Sequence, residues 1–232
     1  MGDFFDPRLV IVYFPGLLSR LHITLLLVFI ATLIGITFGT MIAFIRIYKI
    51  PLVNQIAAVY ISFMRGTPIL VQMFIIYYGL PRILVQVGLD INRWDKMFFV
   101  IMTYGLNMAA FMAEIIRAAI LSVPIGQTEA AYSVGMTRKQ AFSRIVAPQA
   151  LLAAMPSLGI NMVGLLQDSS IAFSLGVIDV MGKAKVIGAS SYHTLEAYTG
   201  AAIIFLALCI LLEKGCSIVE RRLHGVIIGD GR

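Results

Sequence analysis

Four polar residues in a row, Gln167-Asp168-Ser169-Ser170, close an apolar stretch that runs back to Ile145. An acid so placed can hold a cation, share a proton or cap a helix end. Asn161 stands seven residues earlier, two helical turns, so on a continuous helix it shares a face with Asp168. A carboxylate at membrane depth costs roughly 2.5 to 3.5 kcal/mol on insertion scales and by default marks a partner or a pathway. The blander reading is a helix end, with Asp168 hydrogen-bonded to the backbone amides of the next element. A second interruption, Arg65-Gly66-Thr67-Pro68, divides another apolar run. Pro68 cannot continue a hydrogen-bonded helix, so this break releases backbone donors and acceptors.

Residues that would make an enzyme are not assembled. Gly176 to Ala184 looks briefly like a phosphate loop, but five residues separate Gly176 from Gly182, and Ala184 stands where a hydroxyl is required. His22, His193 and His224 lack metal-ligand spacing, and neither a nucleophile elbow nor a pair of catalytic carboxylates is present. Cys209 and Cys216 lie seven positions apart in or just after one apolar run and imply no disulfide framework. The expectation is a chain that catalyses nothing alone and binds no cofactor, so that any energy source is another polypeptide.

The elements that position these residues are set by the solvent. Hydrophobic residues make up 59% of the chain and charged ones 13%, against about 45 to 50% and 25% in soluble domains. An all-α integral membrane protein follows, with residues 1–232 forming one domain. With about 20 apolar residues needed per crossing, five spans are expected. They cover residues 21–45, 69–80 after a short helix at 52–64, 97–116, 145–166 and 195–212. The opening residues carry acids where a leader needs basic ones, so no cleaved signal is expected. Gly35 and Gly39 allow close helix approach, and packing inside the chain is favoured over a subunit interface.

Net charge is +6, but the basic residues are scattered between apolar segments, which argues against nucleic acid. Membrane orientation explains them better. The loop at Arg46 and Lys49, the 117–144 loop and the C-terminal tail hold ten Lys and Arg, against seven on the other side with Arg65 unassigned. That bias puts the N-terminus outside and the C-terminus in the cytoplasm.

The cytoplasmic 117–144 segment is far longer than the roughly 2 to 8 residues that join packed helices. Its sequence favours helix from Gln127 to Ala141 apart from Gly135, as a corner between two short helices requires. Ala130 and Ala131 permit close approach of another surface, and Tyr132, Met136 and Phe142 offer apolar knobs. This is the composition of a docking element. Glu114 and Arg117, three apart at the end of the third span, are placed to pair and fix the segment's departure, although an exposed pair is worth little.

Glu129-Ala130-Ala131, then Gly135 after three intervening residues, Ile145 after nine more, and Pro148, closely resemble the EAA loop in permease subunits of binding-protein-dependent ABC importers. Ala147 departs from the leucine usual before the proline. The segments FMRGTPILVQ, AEIIRAAILSVPIGQTEAA and LLQDSSIAFSLGVIDVM extend the resemblance and narrow it to the polar amino acid branch, which takes histidine, glutamine, arginine or cystine. Gln167 replaces a lysine frequent in that branch, so preference for substrate charge is open.

This resemblance implies a permease of the bacterial inner membrane working by alternating access. Its implied partners are two cytoplasmic ATPase subunits that bind ATP and Mg, a second identical or related permease copy, and an external amino acid-binding protein. Glu129, Ala130, Ala131, Gly135, Ile145 and Pro148 would couple to the ATPase. The pathway would be lined by Arg65, Thr67, Gln72, Asn161, Gln167, Asp168, Ser169 and Ser170, with Asp168 meeting the substrate ammonium and the Arg65 break its carboxylate. The competing class is an ion-coupled carrier or a passive channel, for which the charges at membrane depth are few.

Overall fold

A computed structural model describes residues 5–228, and among them there is no strand. Arg232, counted in the charge bias, lies outside this range. Ten α-helices follow in order: α1 (Pro7–Leu18), α2 (Leu21–Tyr48), α3 (Val53–Gly66), α4 (Ile69–Gln86), α5 (Lys96–Ser122), α6 (Ile125–Ser133), α7 (Arg138–Ala141), α8 (Ala147–Asp168), α9 (Val180–Ser191) and α10 (Thr194–Ile228). Five helical segments are long and apolar enough to cross a membrane: α2, α4, α5, Arg138–Leu175 and Thr194–Gly225.

The spans run longer than expected, each for a local reason. Asp95 caps α5 through a 2.7 Å bond from the Met97 amide, and Val123-Pro124 ends the helix at Ser122 rather than at 116. The segment ending at 80 continues to Gln86 because Pro81 is buried inside α4 and removes only one donor. Ahead of Pro148 the helix widens into a π-turn, Phe142–Val146, in which the Ala147 amide bonds the Phe142 carbonyl. The fourth span is thereby continuous with α7. The charges at Glu213 and Lys214 end the apolar run of the last span but not its helix. At 35 residues α10 is about 52 Å long, against a hydrocarbon core of about 30 Å. Two elements were not expected: α1, too short to cross, and α9, which packs with α1 against the start of α10.

Assembly centres on α2 and α5. A Cβ at Gly35 would lie 2.3 Å from Met108 Cγ, and one at Gly39 would lie 2.5 Å from Met112 Cβ and 2.9 Å from the Ala109 carbonyl. From the other side, a Cβ on Gly105 would come within 2.6 Å of Ile34 Cγ2. All three glycines are consumed within the chain, as small residues at a membrane helix contact are. Around this seam lies the main core, with Leu27, Phe99, Tyr104, Met112 and Leu166 buried. The glycine contact predicts that Gly39→Ala destabilises the purified chain by about 1–3 kcal/mol, through overpacking against backbone. Gly126→Ala, at a site with nothing near its Cβ, leaves the melting temperature in detergent unchanged or higher.

Candidate functional site

One stripe of α5 touches every polar interruption in the bundle. Tyr104, Asn107, Phe111 and Glu114 are spaced three, four and three apart, so they line one face. Fully buried Tyr104 donates from its hydroxyl to the Asp168 carbonyl at 2.7 Å. A turn along, Asn107 Nδ2 donates to Gln72 Oε1 at 3.0 Å and to the Met64 carbonyl at 3.2 Å. Phe111 carries the Arg65 guanidinium 5.4 Å from its ring centre. Glu114 closes the stripe.

The break between α3 and α4 falls at Thr67 and Pro68, as Pro68 demands. Gln72 repairs it. Its Nε2 lies 2.8 Å from the Met64 carbonyl and 2.9 Å from both the carbonyl and the hydroxyl of Thr67, while its Oε1 accepts from Asn107. A side chain 1% exposed with its polar atoms already partnered has nothing left for a solute. Gln72 therefore satisfies the carbonyls the break exposes. Thr67 is also occupied, donating to the Phe63 carbonyl at 2.8 Å.

At the other interruption, α8 runs unbroken to Asp168, so Asn161 and Asp168 do share a face. Asn161 is turned back on its own helix, to the Ser157 carbonyl at 2.9 Å. Ser169 is buried and bonds the Leu166 carbonyl at 2.7 Å, opening a 3-10 turn, Ser169–Leu175. Asp168 makes no side-chain cap on that turn, which removes the capping alternative. Its carboxylate is half-buried and has no hydrogen bond among the described residues. Gln167 and Ser170 line a cleft of about 690 Å³ with Tyr198, Phe205, Cys209 and Glu213 of α10.

Arg65 and Asp168 do not meet. The α5 residues they touch, Phe111 for the Arg65 guanidinium and Tyr104 for the Asp168 backbone carbonyl, are two turns apart, about 10 Å along the axis. Arg65 instead faces a smaller cleft of about 210 Å³ with Arg46, Ser62 and Glu114. Glu114 and Arg117 pair at 2.7 Å, with the guanidinium Nε at 3.2 Å from the same oxygen. The pair lies within α5, five residues before its end at Ser122.

That segment is a helix, a corner and a helix turn. The Gly135 amide bonds the Tyr132 carbonyl at 2.9 Å, the Met136 amide bonds Ala131 at 3.1 Å, and Gly135 takes a φ of 80°. This paired termination is available to glycine at little cost. Thr137 and Gln140 then form a reciprocal capping box that starts α7. Glu129 and Ala130 face outward with Ile125, Tyr132 and Val134, the last two apolar groups being 45% and 74% exposed. Ala131 is buried, Ile145 and Pro148 are half-buried at the π-turn, and Phe142 packs edge-on against Phe44 of α2 at 5.8 Å. Phe142 is thus an internal wedge and not a knob for a partner. Gly135 has open space where a Cβ would be, so conformation, not clearance within the chain, selects it.

On the opposite side Asp179 starts α9, accepting from the Gly182 amide at 2.8 Å, and burial pushes its carboxyl above the usual carboxylate range. Among the described residues no cluster of three or more His, Cys, Asp or Glu could hold a metal. Sequence reasoning missed Tyr104, Asn107, Arg46 and Ser62. Only Asn107, a carboxamide within an apolar run, gave a local signal.

Residues 35–225 match the family described as binding-protein-dependent transport system inner membrane component. The L-cystine transport system permease protein TcyL of Bacillus subtilis is 44% identical over 96% of this chain and 93% of its own length. The nopaline transport system permease protein NocM of Agrobacterium fabrum is 37% identical, over 93% and 90%. A crystal structure of an amino acid ABC transporter with histidines superposes with a TM-score of 0.83 at 34% identity, covering 95% of this chain and 100% of that one.

The repair of the break predicts that Gln72→Leu and Asn107→Leu each destabilise the chain by about 1–3 kcal/mol, by orphaning buried carbonyls. The double variant loses less than the sum, because the two amides serve one network. Thermal unfolding in detergent across the four proteins measures this, and strict additivity would separate the residues.

Proposed function

Since this chain belongs to the binding-protein-dependent transport system inner membrane components, we propose that it is the membrane-spanning subunit of an ATP-driven importer of polar amino acids. Relatives named for cystine and nopaline, and the structural likeness to an amino acid ABC transporter, support that substrate class. In this reading the chain pairs with a second copy, identical or related, around the pathway. Two cytoplasmic ATPase subunits bind ATP and Mg, and an external binding protein delivers the amino acid. The N-terminus is outside and the C-terminus in the cytoplasm, following the charge bias. Residues 1–232 act as one domain.

The observation that carries the mechanism is the outward display on α6. Ile125, Ala130, Tyr132 and Val134 are exposed around Glu129, while α7 at the far side of the Gly135 corner continues through the π-turn into the fourth span. A push on α6 is thus delivered to a helix that crosses the membrane and ends at Asp168. Glu129, Ala130, Ala131, Gly135, Ile145 and Pro148 form this coupling unit: the first two face the ATPase, and the others set the corner and its join to α8. At the other end of α8, Gln167, Asp168 and Ser170 meet the substrate, with Asn161 and Ser169 supporting them. A passive channel or ion-coupled carrier has no use for such a docking helix.

Gly135→Val tests the coupling role. A β-branched residue at a φ of 80° is disfavoured by more than the roughly 1–2 kcal/mol of an ordinary left-handed residue, so the corner reshapes. Insertion and yield are retained, while uptake by the reconstituted importer and substrate-stimulated ATP hydrolysis fall at least tenfold. Wild-type rates of both in this variant would remove the coupling role from the segment.

A further inference from the structure

The cleft between α2, α3 and α5 holds charges that the coupling and substrate roles above leave unused. Arg46, Ser62, Arg65 and Glu114 line it. Arg46 Nη1 bonds the Asn54 side-chain oxygen at 2.9 Å, but its Nε is buried with no hydrogen-bond partner among the described residues. Arg65 has no carboxylate within ion-pair distance among those residues, only the face of Phe111. The Glu114 carboxylate gives Oε2 to Arg117, whereas Oε1 holds just one contact, 3.3 Å from Arg117 Nε. Three guanidiniums therefore surround one carboxylate, a surplus of two positive charges.

Arg46 lies two residues before the end of α2 and Glu114 eight residues before the end of α5, while Ser62 and Arg65 are exposed along α3. Unpaired charges on helices of a membrane bundle face a water-lined route, a partner or a ligand. Guanidiniums beside a hydroxyl recognise a carboxylate through paired N–H donors, and a free carboxylate oxygen facing the same space recognises an ammonium. A cleft of about 210 Å³ offering both matches the charged end of an amino acid, and it lies two turns of α5 from Asp168.

We propose that this cleft is an inner station for amino acids, with Arg46, Arg65 and Ser62 taking the α-carboxylate and Glu114 Oε1 the α-ammonium. Its surplus positive charge makes the station pass neutral and anionic amino acids and turn back cationic ones. The assignment rests on the amino acid importer reading and adds the charge class of substrate and a second place of binding. Arg65 is the residue to vary, since its loss breaks no hydrogen bond within the chain.

The test is equilibrium binding of radiolabelled glutamine and arginine to the purified chain, run beside uptake of both, and of histidine and cystine, by the reconstituted importer. The wild type binds glutamine on the order of tenfold more tightly than arginine, as one charge at about 12 Å in a partly polar interior provides. Arg65→Gln abolishes most of that preference, Arg65→Lys retains it, and Glu114→Gln weakens glutamine and arginine together. An unchanged preference in Arg65→Gln, or a wild type that binds no amino acid while the importer still takes up glutamine, overturns the inner station and leaves the importer reading intact. An importer that takes up none of glutamine, arginine, histidine and cystine defeats the importer reading itself.

Discussion

The structure depends on how closely α2 and α5 approach. Gly35, Gly39 and Gly105 bring the helices to a distance at which Met108 and Met112 rest on bare backbone. In lipid no hydrophobic effect drives helices together, so contact area of this kind is what holds them. Fixing α5 fixes its neighbours as well. The face presented by Tyr104, Asn107, Phe111 and Glu114 then sets the 3-10 turn after α8, the α3–α4 break and both clefts.

A membrane protein that must change shape needs irregular backbone at depth, and irregular backbone at depth must be partnered. Two solutions coexist here. At the α3–α4 break Gln72 and Asn107 supply side-chain amides to freed carbonyls, converting a proline interruption into a fixed joint. Ahead of Pro148 the chain widens its own hydrogen bonding instead, with a π-turn that keeps α7 and α8 mechanically continuous. The first joint is held by Gln72 of α4 itself and by Asn107 from α5. The second keeps α7 and α8 one continuous helix, from the Gly135 corner to the polar end at Asp168.

Much of this was legible in the sequence, and the failures have physical causes. Five spans followed from apolar length, the corner at Gly135 from its neighbours, and the α3–α4 break from Pro68, because each is decided by local chemistry. Internal use of Gly35 and Gly39 was the favoured expectation as well. Contacts decided by three-dimensional neighbours left no linear trace. Gln72 looks like any polar residue near a break until Met64 and Thr67 are seen to need donors, and Phe142 looks like a free knob until Phe44 is found beneath it. Helix ends were underestimated where a charge or proline ended the apolar run but not the hydrogen bonding, as at Glu213 and Pro81. Arg46 and Ser62 gave no signal because a cleft between three helices has no linear signature.

Only one candidate span, Arg138–Leu175, separates α6 from α9, so the proposed coupling requires α6 and α9 to lie on opposite faces of the membrane. Single cysteines at Arg138 and Ser190, both exposed, in a background with Cys209 and Cys216 replaced by serine, measure this directly with a membrane-impermeant maleimide. In sealed cells the label reaches Ser190 and spares Arg138 until the membrane is opened. Labelling of both positions from the same face would contradict the arrangement.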